Sequence, residues 1–234
     1  QGIDVDTSIF YKWLGVNRGM NAGVYFFIAL PLLTAFAYSW SVSYDRNSGY
    51  ISQIITRTSR KKYFTAKFLV TFISGGIIFA GALILDYVLL AIFSPAYTPI
   101  PGDLASSMDP FHFCSEIFYQ NPYLFMLIWF GIAFLWGGAM SCISMAAGML
   151  IKKYVISSIV PFLVFTAEQI LALYVMQRYT ITIKGTSIGL VWTDMLYAAP
   201  MTTSFPEHIL LCIALIIMIS TLIYILRGRK YECL

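Results

Sequence analysis

Two acidic residues, Asp86 and Glu168, interrupt long apolar stretches of this chain. A carboxylate deep in hydrocarbon costs about 2.5–3.5 kcal/mol on insertion scales, so such a residue is a functional candidate by default. At about 1.5 Å of helical rise per residue, Glu168 lies about 22 Å beyond Lys153 and Asp86 about 28 Å beyond Lys67. Gln169 follows Glu168 directly. An acid and an amide together could form a polar patch lining a solute path, or satisfy each other in an interhelical hydrogen bond. Asp86, nearer an interface, is expected to be structural. His112 with Asp109 and Glu116 loosely resembles a metal cluster, but no ligand spacing supports it, and His208 is isolated. No G-x-x-x-x-G-K-[ST], H-E-x-x-H or G-x-S-x-G motif occurs, so no phosphate loop, zinc-protease or nucleophile-elbow chemistry is expected.

The densest group of functional side chains is basic. Residues 44–67 read YDRNSGYISQIITRTSRKKYFTAK. Ile51, Ile54 and Ile55 fall at i, i+3 and i+4, one face of a helix. Arg57, Arg60, Lys61 and Lys62 are expected at its C-terminal end, where cations suit the helix dipole. Asp45 and Ser48 could start that helix by accepting from free backbone N–H groups. Gly49 lets the chain turn ahead of it. The expectation is a short amphipathic helix lying along a membrane interface. Read alone, it could equally be a basic anchor gripping anionic lipid.

These groups need elements to position them, and composition says which. The 234 residues are 59% hydrophobic, 17% aromatic and only 11% charged, against about 25% charged in a soluble domain. Mean hydropathy is +0.76. That excludes an ordinary globular enzyme, a disordered chain, and a nucleic-acid binder with a basic face; the net charge is only +4.

Five apolar runs read as membrane helices, at about 19–42, 68–93, 123–151, 154–176 and 209–226. Barrel strands would alternate and be about 10 residues long, so the predicted fold is an all-α, polytopic membrane helix bundle. Eleven of the fifteen cations fall on one side of these spans: Arg46, Arg57, Arg60, Lys61, Lys62, Lys67, Lys152, Lys153, Arg227, Arg229 and Lys230. The positive-inside rule then places the C-terminus in the cytoplasm and residue 1 outside. No cleavable leader is visible at the start. An outside N-terminus is therefore expected to follow a further span upstream, making six in the full protein; direct translocation of a short tail is the alternative. On this topology Cys114 is alone outside, Cys142 and Cys212 are intramembrane and Cys233 is cytoplasmic, so no internal disulfide is expected. Small residues (Gly137, Gly138, Ser141, Ser144 and Gly148, with Gly75, Gly76 and Gly81 on the preceding span) suit close helix approach, within the chain or at a dimer seam. Aromatic residues near span ends, including Tyr123, Trp129 and Trp192, are read as interface belts. Pro161 is expected to bend its helix.

The order span, acidic residue, Gly, short amphipathic helix, Ser-Arg, aromatic, Lys, span resembles the permease subunit of type 2 ABC exporters. Asp45, Gly49, the TSR at 58–60 and Lys67 carry the resemblance. The chain departs from the family pattern in having Asp where Glu is commoner and no Pro before Ser59-Arg60. The resemblance implies a single permease domain over 1–234, with a coupling segment at 44–62 that docks on separate ATPase subunits. Asp45, Gly49, Ile54, Arg57 and Arg60 would carry the coupling. It implies re-entrant short helices at 185–207, in keeping with Pro200 and Pro206 there. Partners would be ABC ATPase chains, a second permease subunit (identical or related) and membrane lipid, but no nucleic acid. ATP and Mg would sit on the ATPase, leaving this chain without a cofactor or catalytic residues. The expected location is a bacterial cell membrane. Glu168 and Gln169 would line the path of an amphipathic peptide, drug or lipid. The competing classes are an ion-coupled secondary transporter working through Glu168, and a non-transporting anchor or sensor subunit.

Overall fold

In hydrocarbon every backbone N–H must be paired within its own segment, which turns uninterrupted apolar runs into helices. The computed structural model describes residues 8–17, 21–101, 108, 114–151, 153–178, 182–183, 186–187, 196 and 206–229. The elements are α1 (Ile9–Lys12), α2 (Asn21–Tyr38), α3 (Trp40–Asn47), α4 (Tyr50–Ile55), α5 (Arg60–Phe93), α6 (Ser115–Gln120), α7 (Pro122–Leu150), α8 (Tyr154–Arg178), β1 (Thr182–Ile183), β2 (Thr186–Ser187) and α9 (Pro206–Arg229). This is an all-α helical bundle. Among the described residues, five helical stretches are long and apolar enough to cross a membrane: Tyr25–Asn47, Arg60–Phe93, Pro122–Leu150, Tyr154–Ala172 and Ile209–Gly228. Their exposed surfaces carry large apolar side chains such as Leu85, Ile92, Leu127 and Ile170, which suits a lipid-facing wall.

Two boundaries differ from the sequence reading. The first span does not stop at residue 42 but continues through α3 to Asn47. Ser39 keeps right-handed helical angles between α2 and α3, and Asp45 and Arg46 find partners within the protein. The second begins at Arg60 rather than 68. The Ser59 carbonyl accepts the first helical bond, from Tyr63 N–H at 3.3 Å, and Arg and Lys are good helix formers. Pro122 and Pro206 open α7 and α9, where their missing N–H has no partner to lose. Pro161 lies inside α8. Most of the 185–207 segment lies outside the described residues. Its described part includes β2, which pairs antiparallel with β1 in the register Thr182↔Ser187 and Ile183↔Thr186.

Packing divides the chain into two compact units. The first comprises Gln1–Ile28, Ala80–Ala133 and Thr166–Leu210. Here the N-terminal segment, for which the sequence suggested no element, is a core component. Ile9, Phe10, Tyr11, Trp13 and Val16 are all buried. Trp13 Nε1 donates to Leu83 O at 3.2 Å, and Asp86 Oδ2 accepts from Leu14 N–H at 3.0 Å. Ser8 Oγ donates to Tyr97 O at 2.9 Å. The Trp13 ring meets Phe130 edge-on at 5.6 Å, and Phe10 meets Tyr123 at 5.3 Å. Trp129, expected in an interface belt, is instead buried and stacked on Phe125 at 6.3 Å. About two helical turns into α7, it faces the core of this unit.

The second unit comprises Ala29–Phe79, Phe134–Phe165 and Leu211–Leu234. Its centre is a glycine-to-glycine crossing of α5 and α7. A Cβ at Gly137 would lie 2.4 Å from Gly75 O, and one at Gly75 only 2.6 Å from Gly137 O. Gly76 faces Phe134 and Gly138 faces Phe72 equally closely. The small-residue stripe here serves packing within the chain. A serine chain adds to it. Ser39 Oγ donates to Ser144 Oγ at 2.7 Å, Ser144 Oγ to Ser157 O at 3.1 Å, and Ser141 Oγ to Thr34 O at 2.8 Å. Ser43 Oγ reaches Gly148 O and Ser157 Oγ, both at 3.3 Å. These bonds tie α2, α3, α7 and α8 together.

Candidate functional site

The site with the most organised polar chemistry lies where α3 ends and α5 begins, in the second unit. Tyr63 and Lys67 are four residues apart and so share a face of α5. Both address the Asp45 carboxylate of α3. Lys67 Nζ is 2.6 Å from Asp45 Oδ2, and Tyr63 OH donates to the same oxygen at 2.6 Å. Lys67 Nζ also donates to Tyr38 OH and Ser41 Oγ, each at 3.1 Å. An ammonium has three donors, and all three are used. Its charge sits 4.9 Å from the Tyr38 ring centroid and 6.0 Å from that of Tyr63, distances that allow cation–π attraction. Asp45 is buried. A buried ion pair is favourable only when additional hydrogen bonds support it, and here Tyr63, Tyr38 and Ser41 supply them.

Next to it, Arg46 Nη1 donates to Met149 O at 2.8 Å. A cation at the carbonyl end of α7 suits that helix's dipole. Below these contacts Val42, Met145, Met149 and Tyr224 form a buried apolar cluster, with Phe64 and Phe68 packed on it.

Beyond Asp45 the chain turns at Gly49, which has φ +72°. That left-handed conformation ends α3 in the manner of a C′ glycine, and Ser48 N–H and Gly49 N–H bond back to Tyr44 O and Arg46 O. Gly49 is also the N-cap of α4. Six residues are too few for a helix to stand alone. Ile51 holds it down, buried to 1% exposure, while Ile54 is half-buried and Ser52 and Gln53 are exposed.

The expected coupling residues are therefore brought to one stretch of surface but in different roles. Gly49 makes the turn. Ile54 is half-buried in the last turn of α4. Arg57 is exposed in the following turn, its N–H bonded to Ile54 O at 3.0 Å. Arg60 is half-buried, over the Phe64 ring at 5.8 Å. Two expectations need correction. Asp45 does not start the short helix; it lies inside α3, drawn inward by Lys67 and Tyr63. The cations do not cap one helix end: Arg57 is in the turn, and Arg60, Lys61 and Lys62 form the first turn of α5, because α4 stops at Ile55.

No family model, curated protein or solved structure matches the chain. The reading of this site therefore rests on its own geometry.

Glu168 and Gln169 belong to the first unit. Both are half-buried on α8, and Gln169 Nε2 donates to Glu168 Oε2 at 3.1 Å. Asp86 is engaged by the N-terminal segment, a structural partner. No cluster of three metal-ligating side chains occurs among the described residues. Glu116 is exposed and accepts from Gln120, whereas Asp109 and His112 lie outside the described residues. Cys114, Cys142 and Cys212 form no disulfide among the described residues; Cys233 is outside the described residues. Partial burial pushes the Cys114 thiol up from its ordinary value.

Sequence reasoning missed Tyr38, Ser41, Arg46 and Tyr63 at the main site. The Tyr63–Lys67 spacing was the available signal: a hydroxyl and an ammonium on one helix face imply a shared acceptor.

Proposed function

We propose that this chain is the transmembrane permease subunit of an ATP-driven ABC exporter, with the 44–62 segment as the docking surface for a separate ATPase. The observation that carries the reading is α4 itself. It is a short helix, exposed on one side and followed in sequence by the exposed cations Arg57, Lys61 and Lys62, set between two spanning helices and hinged at Gly49. Behind it the Asp45–Lys67 pair joins those two helices directly. A push on α4 would then reach α3 and α5 together, the mechanical requirement for turning ATPase closure into a two-state gating change.

In this proposal the cationic face is cytoplasmic, residue 1 is outside, and the membrane is a bacterial cell membrane. Two permease subunits, identical or related, would enclose the path. Glu168 and Gln169 would line it, for an amphipathic peptide, drug or lipid. ATP and Mg would belong to the partner chain.

The deciding experiment copurifies the tagged chain with the product of an adjacent ATPase reading frame. The Gly49→Pro/Arg57→Glu double variant should lose the ATPase and transport together. Transport that persists without any nucleotide-binding partner, and disappears on neutralising Glu168, would replace this proposal with an ion-coupled carrier. Indifference to both changes would leave a membrane anchor.

A further inference from the structure

A second feature of the second unit lies apart from α4. Arg60, Lys61, Phe64 and Thr65 of α5 face Tyr224, Ile225 and Gly228 of α9 across a half-open groove of about 400 Å³. Its two ends differ chemically. Phe64, Tyr224 and Ile225 make an apolar wall, and Ile225 continues onto an exposed apolar surface with Leu222 and Leu226. Arg60 and Lys61 make a cationic rim, with Arg227 exposed close by in sequence on α9. The rim lies where the apolar run of α5 begins and that of α9 ends, so it falls at headgroup level of a bilayer.

The cations are also placed against the field of their own helix. The N-terminus of α5 carries the positive end of a 34-residue dipole, and its first turn holds no acid. Lys61 and Lys62 there meet an unfavourable field unless an anion is near. Lys61 has no ion-pair or hydrogen-bond partner among the described residues. Gly228 opens the space: a Cβ there would touch the Phe64 ring at 3.6 Å, so any larger side chain would occupy the groove.

We propose that this groove binds one anionic phospholipid, its phosphodiester on Arg60 and Lys61 and the start of its acyl chains along Phe64, Tyr224 and Ile225. An acidic protein surface would match the rim but not the apolar wall, and a free phosphate would leave that wall unused. The proposal needs the membrane-spanning reading of α5 and α9 but not the exporter reading, and its failure would leave the latter standing.

The purified full chain in detergent is titrated with dioleoyl-phosphatidylglycerol, dioleoyl-phosphatidylcholine or inorganic phosphate, and retained ligand is counted by native mass spectrometry. Phosphatidylglycerol should be retained preferentially. Arg60→Gln and Lys61→Gln should each weaken it about fivefold, as expected for one basic group near an anionic headgroup. Gly228→Leu, which fills the groove and keeps both cations, should abolish preferential retention, whereas Gly228→Ala should preserve it. Melting curves identify any variant that fails to fold, and exposed Lys61 supplies a readout free of that risk. Equal retention of the two lipids overturns the proposal. So does a Gly228→Leu variant that melts normally and keeps phosphatidylglycerol, which would mean diffuse surface charge only. Displacement of lipid by phosphate at equal concentration overturns it too. A Lys61→Gln variant that binds lipid normally but loses an ATPase partner would assign the rim to protein docking instead.

Discussion

Lys67 Nζ sits 2.6 Å from Asp45 Oδ2, with Tyr63 OH on the same oxygen. One ion pair thereby joins the end of α3 to the start of α5, across the turn that carries α4. Removing one partner strands the other charge among buried groups. Asp45→Asn or Lys67→Met should each cost about 3–5 kcal/mol. The double variant should cost less than the sum of the two, since it strands no charge. Denaturant unfolding of the four proteins in detergent measures the coupling; additive losses would mean the pair contributes nothing as a pair.

The α5–α7 crossing predicts a steric series. At Gly137 any side chain meets the Gly75 carbonyl, and overpacking of this kind costs about 1–3 kcal/mol. Gly137→Ala should therefore lower the melting temperature, and Gly137→Leu should prevent recovery of folded protein. Gly81 lies on α5 with nothing within 4 Å of its missing Cβ. Gly81→Ala should be neutral or raise stability by up to about 1 kcal/mol.

Gly49 isolates a purely conformational cost. Nothing lies within 4 Å of a Cβ there, yet φ is +72°. Gly49→Ala should cost about 1–2 kcal/mol from the left-handed backbone alone, and Gly49→Asn less. Limited proteolysis between α3 and α5 should show the order Gly, Asn, Ala in increasing cleavage.

Asp86 predicts an anchoring role. Asp86→Asn keeps an oxygen for Leu14 N–H, whereas Asp86→Leu removes it and should cost about 1–3 kcal/mol. Trp13→Ala empties a fully buried site and should cost about 3–5 kcal/mol. Early protease cleavage near residue 17 is the expected readout for Asp86→Leu and Trp13→Ala, with Asp86→Asn resembling the parent.

Cys114 supplies a pH test. Partial burial disfavours its thiolate, so at any pH below the raised value less of the reactive form is present in the folded chain than in the unfolded one. Alkylation by iodoacetamide should be slower when folded, with its rate rising at higher pH than for the unfolded protein. A membrane-impermeant maleimide applied to intact cells should label Cys114 if residue 1 is outside.

The five spans were legible because bulk hydrophobicity is a property of a run, insensitive to any one partner. Their ends were less so. The position of Asp45 inside α3 depends on Lys67 and Tyr63 arriving from another helix, and no local pattern announces that. The turn at Gly49 was readable, because glycine there needs no tertiary explanation. The N-terminal segment escaped notice: Ile9, Phe10, Tyr11 and Trp13 form too short a group to register as a span, although four large apolar residues in five positions point to a docking surface. The serine chain was half visible, as Ser141 and Ser144 on a small-residue stripe. Ser39, Ser43 and Ser157 gain meaning only when three helices meet.

That serine chain limits how the second unit can rearrange. Its links are 2.7–3.3 Å long, and a hydrogen bond stretched by about 0.5 Å beyond such lengths is largely lost. Sliding α7 along α3 or α8 by even a fraction of a turn would break several at once, with no water in hydrocarbon to replace them. Low-energy movements are therefore those that turn these helices as one body, with bending confined to places free of such rungs.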